Sequence, residues 1–215
     1  MIVITGASDG LGKALADVFR ASGKRVVNLS RSENPHTENI PCDLTNDASI
    51  EQAAQTTLAI SEPLELLVNC AGVISLENLN EVKSTEVKRV FQVNIMGPMV
   101  LTSRLADRLK IDNGDVINIA STVGTKAYEK QAAYGASKWA MRGFSQNLQL
   151  EFKNTGVRVL SVCVGGFASG LTAKVGQPVA DPENWMKPED VAKCVKQLVE
   201  LPKNMEVSEI VINRK

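Results

Sequence analysis

Tyr134-Gly135-Ala136-Ser137-Lys138 sets a phenol and an ammonium four residues apart. On a helix that spacing puts both groups on one face. An isolated phenol titrates near 10, and a neighbouring cation stabilises its phenolate, so such a pair brings a proton donor and acceptor toward neutral pH. Taken singly, the spacing is equally met by a packed ring beside a solvated charge. Ser121 adds a hydroxyl at the end of the apolar run 116–120, which reads as a buried strand. At the carboxyl edge of a parallel sheet that hydroxyl can donate to a carbonyl oxygen. Together the three groups can move a proton to or from an oxygen that is held in place.

A second cluster suits phosphate. Thr5-Gly6-Ala7-Ser8-Asp9-Gly10-Leu11-Gly12 lies where a strand meets a helix. Glycines there allow a tight turn and let backbone N–H groups approach a diphosphate at the positive end of a helix. The spacing is G-x-x-x-G-x-G, unlike the usual G-x-G-x-x-G, and no G-K-[ST] follows, so it is no P-loop. At the end of the second strand a dinucleotide fold normally carries an acidic residue for the ribose 2′-hydroxyl of NAD. Here the chain reads Asn28-Leu29-Ser30-Arg31-Ser32. A hydroxyl and a guanidinium suit a 2′-phosphate, which favours NADP(H) over NAD(H). The negative charge of Asp9 beside the same phosphate works against this.

The elements that must position these groups alternate apolar strand-length runs with longer segments of helical period. That is the pattern of repeated βαβ units, and it predicts a single α/β domain over residues 1–215: a Rossmann-type doubly wound parallel sheet of about seven strands with helices on both faces. Strands are expected at 1–5, 25–29, 40–42, 64–69, 114–121, 157–164 and 209–213. Helices are expected at 11–21, 45–60, 84–110, 132–153 and 188–199, the third as one unbroken rod. Residues 169–187 interrupt the rhythm with Gly170, Gly176, Pro178 and Pro182 beside Leu171, Val175, Trp185 and Met186. So long a loop is usually functional, which makes it a candidate substrate lid with an apolar wall.

Composition removes several classes. Apolar content of 44% against 22% charged describes a folded globular chain rather than disorder or a coiled coil. Lys plus Arg equals Asp plus Glu at 24 each, and no basic block compensates, so no nucleic-acid partner is expected. No stretch has the length of a membrane span, and no charged leader precedes the first strand, so a cytoplasmic location is expected. Cys42, Cys70, Cys163 and Cys194 are too scattered for a zinc knuckle and read as reduced thiols. His36, the single histidine, lies between Pro35 and Pro41, which argues against a metal site or a Ser-His-Asp triad. A hydrolase built on Ser121 would also need a G-x-S-x-G elbow, which is missing.

These residues jointly resemble the short-chain dehydrogenase/reductase family over almost the whole chain. Thr5 to Gly12 is similar to its T-G-x-x-x-G-x-G turn, Asn69-Cys70-Ala71-Gly72 to its N-[NC]-A-G, and Asn94 to its helix asparagine. Ser121, Tyr134 and Lys138 fall on its serine and Y-x-x-x-K positions. The resemblance implies hydride transfer between NADP(H) and a small carbonyl or alcohol substrate. Tyr134 would be the general acid/base, Ser121 would polarise the oxygen, Lys138 would hold the nicotinamide ribose and acidify Tyr134, and Asn94 would position a water. It further implies that Asp43 meets the adenine amino group, that backbone at Leu44, Asn69, Ala71 and Gly72 lines the adenosine half, and that the Phe167 backbone and the Ser169 hydroxyl make contacts at the carboxamide end. Val164-Gly165-Gly166-Phe167-Ala168-Ser169 departs from the family's P-G-x-x-x-T. Relatives pair through two long helices, so a homodimer or homotetramer is expected. The competing reading is a non-catalytic dinucleotide-binding regulator or scaffold, favoured only if Tyr134 or Lys138 were replaced.

Overall fold

The computed structural model describes residues 1–168, 170, 171, 176 and 184–215. Among the described residues short runs rich in Val, Ile and Leu, and the more polar edge segment Glu38–Pro41, become seven strands: β1 (Ile2–Thr5), β2 (Val26–Ser30), β3 (Glu38–Pro41), β4 (Leu66–Asn69), β5 (Asp115–Ile119), β6 (Val159–Val164) and β7 (Glu209–Ile212). They form one sheet in the order β3-β2-β1-β4-β5-β6-β7, every neighbouring pair parallel. β1 runs beside β2 on one side and β4 on the other, with Ile2 opposite both Val26 and Leu66. The chain reverses its direction of travel across the sheet between these neighbours, and open α/β sheets bind ligands at the carboxyl side of such a point.

Helices cover both faces, so the central strands carry apolar residues on each. Ile2 and Ile4 face α1 (Gly10–Ala21) and α6 (Pro188–Val199), packing with Leu15, Phe19 and Val195. Met1 and Val3 point the other way, into a core with Ile50 of α2 (Asp47–Leu58) and with Leu101, Leu105 and Leu109. The strict alternation is the period of a strand read against two cores.

The expected rod over 84–110 is not one α-helix. α3 (Ser84–Phe91) passes into a π turn at Gln92–Met96, and only then does α4 (Gly97–Asp112) begin. The Gly97 N–H reaches back five residues to the Gln92 carbonyl. Pro98 has no N–H to offer the Asn94 carbonyl, and its ring crowds that group, so an undisturbed α turn cannot form there. A Cβ on Gly97 would stand 2.6 Å from the Leu44 carbonyl oxygen, which fixes the rod against the loop before α2. The remaining expected elements occur with ends displaced by a few residues, and α5 spans Ala132–Glu151.

At the amino edge of the sheet, Asp115 opens β5 almost fully buried. Its carboxylate takes a forked pair from Arg158, Nη2 to Oδ2 at 2.7 Å and Nε to Oδ1 at 3.1 Å, and a further contact from Lys203 at 2.7 Å. Arg158 also donates to the carbonyls of Val199, Leu201, Pro202 and Met205. One ion cluster thus ties β5, the start of β6 and the turn after α6 together. Among the described residues no helix is long and apolar enough to cross a membrane.

Candidate active site

The glycine turn after β1 is built from the inside. Thr5 Oγ1 accepts from the backbone N–H groups of Cys70 and Ala71, both at 3.0 Å, and stitches the ends of β1 and β4 together. Gly6 has φ +72 and runs so close to Ala71 that a Cβ would lie 3.0 Å from its Cα. A Cβ on Gly12 would fall 2.1 Å from the Gly6 carbonyl oxygen, so helix and turn touch backbone to backbone. Asn28 Oδ1 accepts from Ala7 N and Asn34 Nδ2 donates to Ala7 O, which pins the turn to β2 and the loop beyond it. Asp9 caps α1 by accepting from Gly10 N at 2.7 Å. The open amino end of a twelve-residue helix therefore faces the cleft through Gly10, Leu11 and Gly12, a cradle that fits a diphosphate.

Beside it, Ser8 Oγ and Ser30 Oγ are 3.2 Å apart and Arg31 is exposed at the rim. Asp43 accepts from the Thr45 backbone N–H at 2.9 Å and its hydroxyl at 2.8 Å. Those bonds, chiefly the backbone one, hold its carboxyl below the usual range, with help from the Arg31 charge. Asp43 is thus both a turn residue and part of the cleft wall.

The chemical end gathers at β5 and α5. Ser121 accepts from Val123 N at 3.2 Å as cap of the short turn Thr122–Gly124. Burial raises the pKa of the Tyr134 phenol, against the smaller opposing pull of the Ser121 hydroxyl. Lys138 Nζ donates to Ile119 O at 2.8 Å and lies 5.9 Å from the centre of the Tyr134 ring. Burial lowers the Lys138 pKa to about 8, against the opposing pull of the Cys70 and Cys163 thiols. Burial is thus the leading influence on both groups and favours the neutral form of each. The buried Asn94 side chain accepts from Val73 N at 2.8 Å and donates to Val73 O at 2.9 Å and Ser137 Oγ at 3.0 Å. The π turn aims it there, and a Cβ on Gly72 would lie 3.6 Å from its Oδ1 and 3.7 Å from Lys138 Nζ.

One cleft of about 440 Å³ joins the two ends. Gly6, Ser8, Asp9, Gly10, Leu11, Gly12, Ser30, Arg31, Asp43, Leu44, Ala71, Gly72, Ser121, Tyr134, Lys138 and Phe167 all line it. Asn69 and Asn94 do not. Asn69 is buried behind the wall, bonded through Nδ2 to Thr102 and Asn118 at 3.0 and 2.8 Å. Ser169, and Val175 with most of the expected lid, lie outside the described residues. Leu171 and Trp185, expected as an apolar wall, line the cleft; Met186 instead pairs with Phe167 across a backbone bridge. Sequence reasoning missed Val73, Ile74, Val93, Tyr128 and Gln131, which also line it. Tyr128 and Gln131 stand just ahead of Tyr134, and that proximity was the one available signal.

Residues 1–180 match the model of the short chain dehydrogenase family. An uncharacterised oxidoreductase from Thermotoga maritima is 30% identical over 202 residues, covering 87% of this chain and 79% of that protein. A 4-hydroxyisoleucine dehydrogenase, solved with NADH and succinate, superposes with a TM-score of 0.88 at 26% identity, covering 100% of this chain and 98% of its own. Serine dehydrogenase from Escherichia coli gives 0.85 at 26%, covering 99% and 97%. A family match over residues 1–180, with a relative 30% identical across most of both chains, shows that the chain belongs to the short-chain dehydrogenase/reductase family of oxidoreductases.

Proposed function

We propose that this chain, as a single domain, transfers a hydride between NADP(H) and a small carbonyl or alcohol substrate. The observation that carries the reading is the meeting of Ser121, Tyr134 and Lys138 in one cleft with the glycine cradle. Gly6, Ser8, Gly10, Leu11 and Gly12 would hold the diphosphate, Asp43, Leu44, Ala71 and Gly72 the adenosine half, and Lys138 and Phe167 the nicotinamide half. When bound, the nicotinamide supplies or accepts the hydride, chemistry that no side chain can perform. Ser121 donates to the substrate oxygen, and Tyr134 gives it a proton in reduction and takes one in oxidation. Lys138 stands close enough to favour the phenolate that this exchange produces. Asn94 holds the Val73 backbone beside that lysine.

Ser30 and Arg31 at the cleft rim support NADP(H); the neighbour solved with NADH supports a nicotinamide dinucleotide without the phosphate preference. Arg31→Ala should weaken NADPH binding by roughly 10- to 100-fold, the worth of charge-assisted bonds to a phosphate, and change NADH by less than threefold. Equal losses in fluorescence titrations of the two cofactors would refute that role. A cytoplasmic location is supported by Cys42, Cys70, Cys163 and Cys194 remaining free thiols. A homodimer or homotetramer is supported by exposed apolar side chains on the long helices, Met96 and Met99 on one and Trp139 and Leu150 on the other. Light scattering should return two or four chain masses, and a monomer at micromolar concentration would contradict it.

The deciding experiment is a panel of carbonyls and alcohols followed by nicotinamide absorbance with both cofactors. Turnover with NADPH above NADH is expected. Tight dinucleotide binding without any turnover would overturn the reading in favour of a binding protein.

A further inference from the structure

Gln131 lies immediately before α5, three residues ahead of Tyr134, and lines the cleft. Its backbone carbonyl accepts from Gly135 N, but its side chain makes no cap bond to the helix. Among the described residues its Oε1 is buried and has no hydrogen-bond partner. Two other buried side-chain oxygens share that condition, Asn69 Oδ1 and Glu77 Oε2, and neither residue lines the cleft. Leaving a buried amide oxygen unmatched is costly, and a site that keeps one has a use for it. Ile74 and Val123 pack on Tyr134, with Leu76 and Leu171 partly buried against them.

We infer that Gln131 is a specificity-determining residue whose amide oxygen accepts from an O–H or N–H of the substrate, set apart from the reacting carbon. The inference rests on the oxidoreductase reading above and narrows its substrate class to carbonyls and alcohols that carry a second, donor-bearing group. Gln131 and Tyr134 share the cleft wall within three residues of chain, so a substrate reaching both carries its second group a short way from the reacting carbon. A plain ketone would bury the Gln131 oxygen unmatched, and sites built for a hydroxyl discriminate strongly against analogues lacking it.

The test compares 1,3-butanediol and 4-amino-2-butanol with 2-butanol as substrates, in wild type and in Gln131→Met, which keeps side-chain length and removes the acceptor. Because Gln131 makes no cap bond, the variant should fold. In wild type at least one donor-bearing alcohol should exceed 2-butanol by about 10- to 100-fold in kcat/KM. In Gln131→Met that preference should fall to within about threefold. No separation in wild type, or one that survives the substitution, overturns the inference. Calorimetric binding of the same alcohols to the protein saturated with reduced cofactor separates the two levels of the argument. Binding preference lost in Gln131→Met without turnover of any alcohol would sink the oxidoreductase reading and leave Gln131 assigned, whereas turnover without preference would do the reverse.

Discussion

Tyr134→Phe should lower kcat by about 10²- to 10⁴-fold, the usual worth of a positioned proton donor, while the dissociation constant for NADPH moves less than threefold. The ring is buried against Ile74 and Val123, and its body stays when the hydroxyl goes. Ser121 keeps its bond from Val123 N, so the polarising hydroxyl stays held. The loss should fall on kcat and kcat/KM together, as expected when an interaction made in the transition state is removed. Single-turnover absorbance with the best substrate of the panel reads it directly. A rate within tenfold of wild type would transfer the proton to some other group and remove Tyr134 from the reaction.

The second large effect concerns stability. Asp115→Ala should destabilise the fold by about 3–5 kcal/mol, because Arg158 would keep a charge beneath the surface with its carboxylate gone. For a chain of this size that corresponds to a fall in Tm of roughly 6–20 °C. The double change Asp115→Leu with Arg158→Met should recover most of the loss, since burying neither charge is often neutral. Differential scanning calorimetry on the single and double variants measures both. A double variant as unstable as Asp115→Ala would mean that the four carbonyl contacts of Arg158, and not the charge pair, hold the turn after α6. The cluster lies at the amino edge of the sheet and the cleft at the carboxyl edge, so kcat of the folded variant should stay within twofold.

What could be read from residues alone follows from what they encode locally. Val157 to Val164 is apolar at nearly every position because β6 is covered twice, and Pro188-Glu189-Asp190 opens α6 where a rigid φ and two carboxylates suit a helix amino end. The glycine turn was legible because backbone contact excludes a Cβ at Gly12. The π turn was not, since apolar period alone cannot distinguish an α turn from one wider by a residue; Pro98 held the information. The balance between Tyr134 and Lys138 was also out of reach. Spacing reveals that the two are neighbours, whereas the direction of their titration depends on how much water each loses, a property of the assembled cleft. The place of the Asn69 side chain was out of reach for a related reason: it lies inside, on Thr102 and Asn118, partners that only the assembled sheet and helices bring to it.

Each helical residue turns the side-chain heading by about 100°. The π turn winds one residue more into its circuit, so removing a single residue between Gln92 and Met96 would close it to an α turn and leave Val90, Leu101, Leu105 and Leu109 near their present headings. What such a deletion would take away is the surplus residue itself, and with it the heading of Asn94 toward Val73 and Ser137.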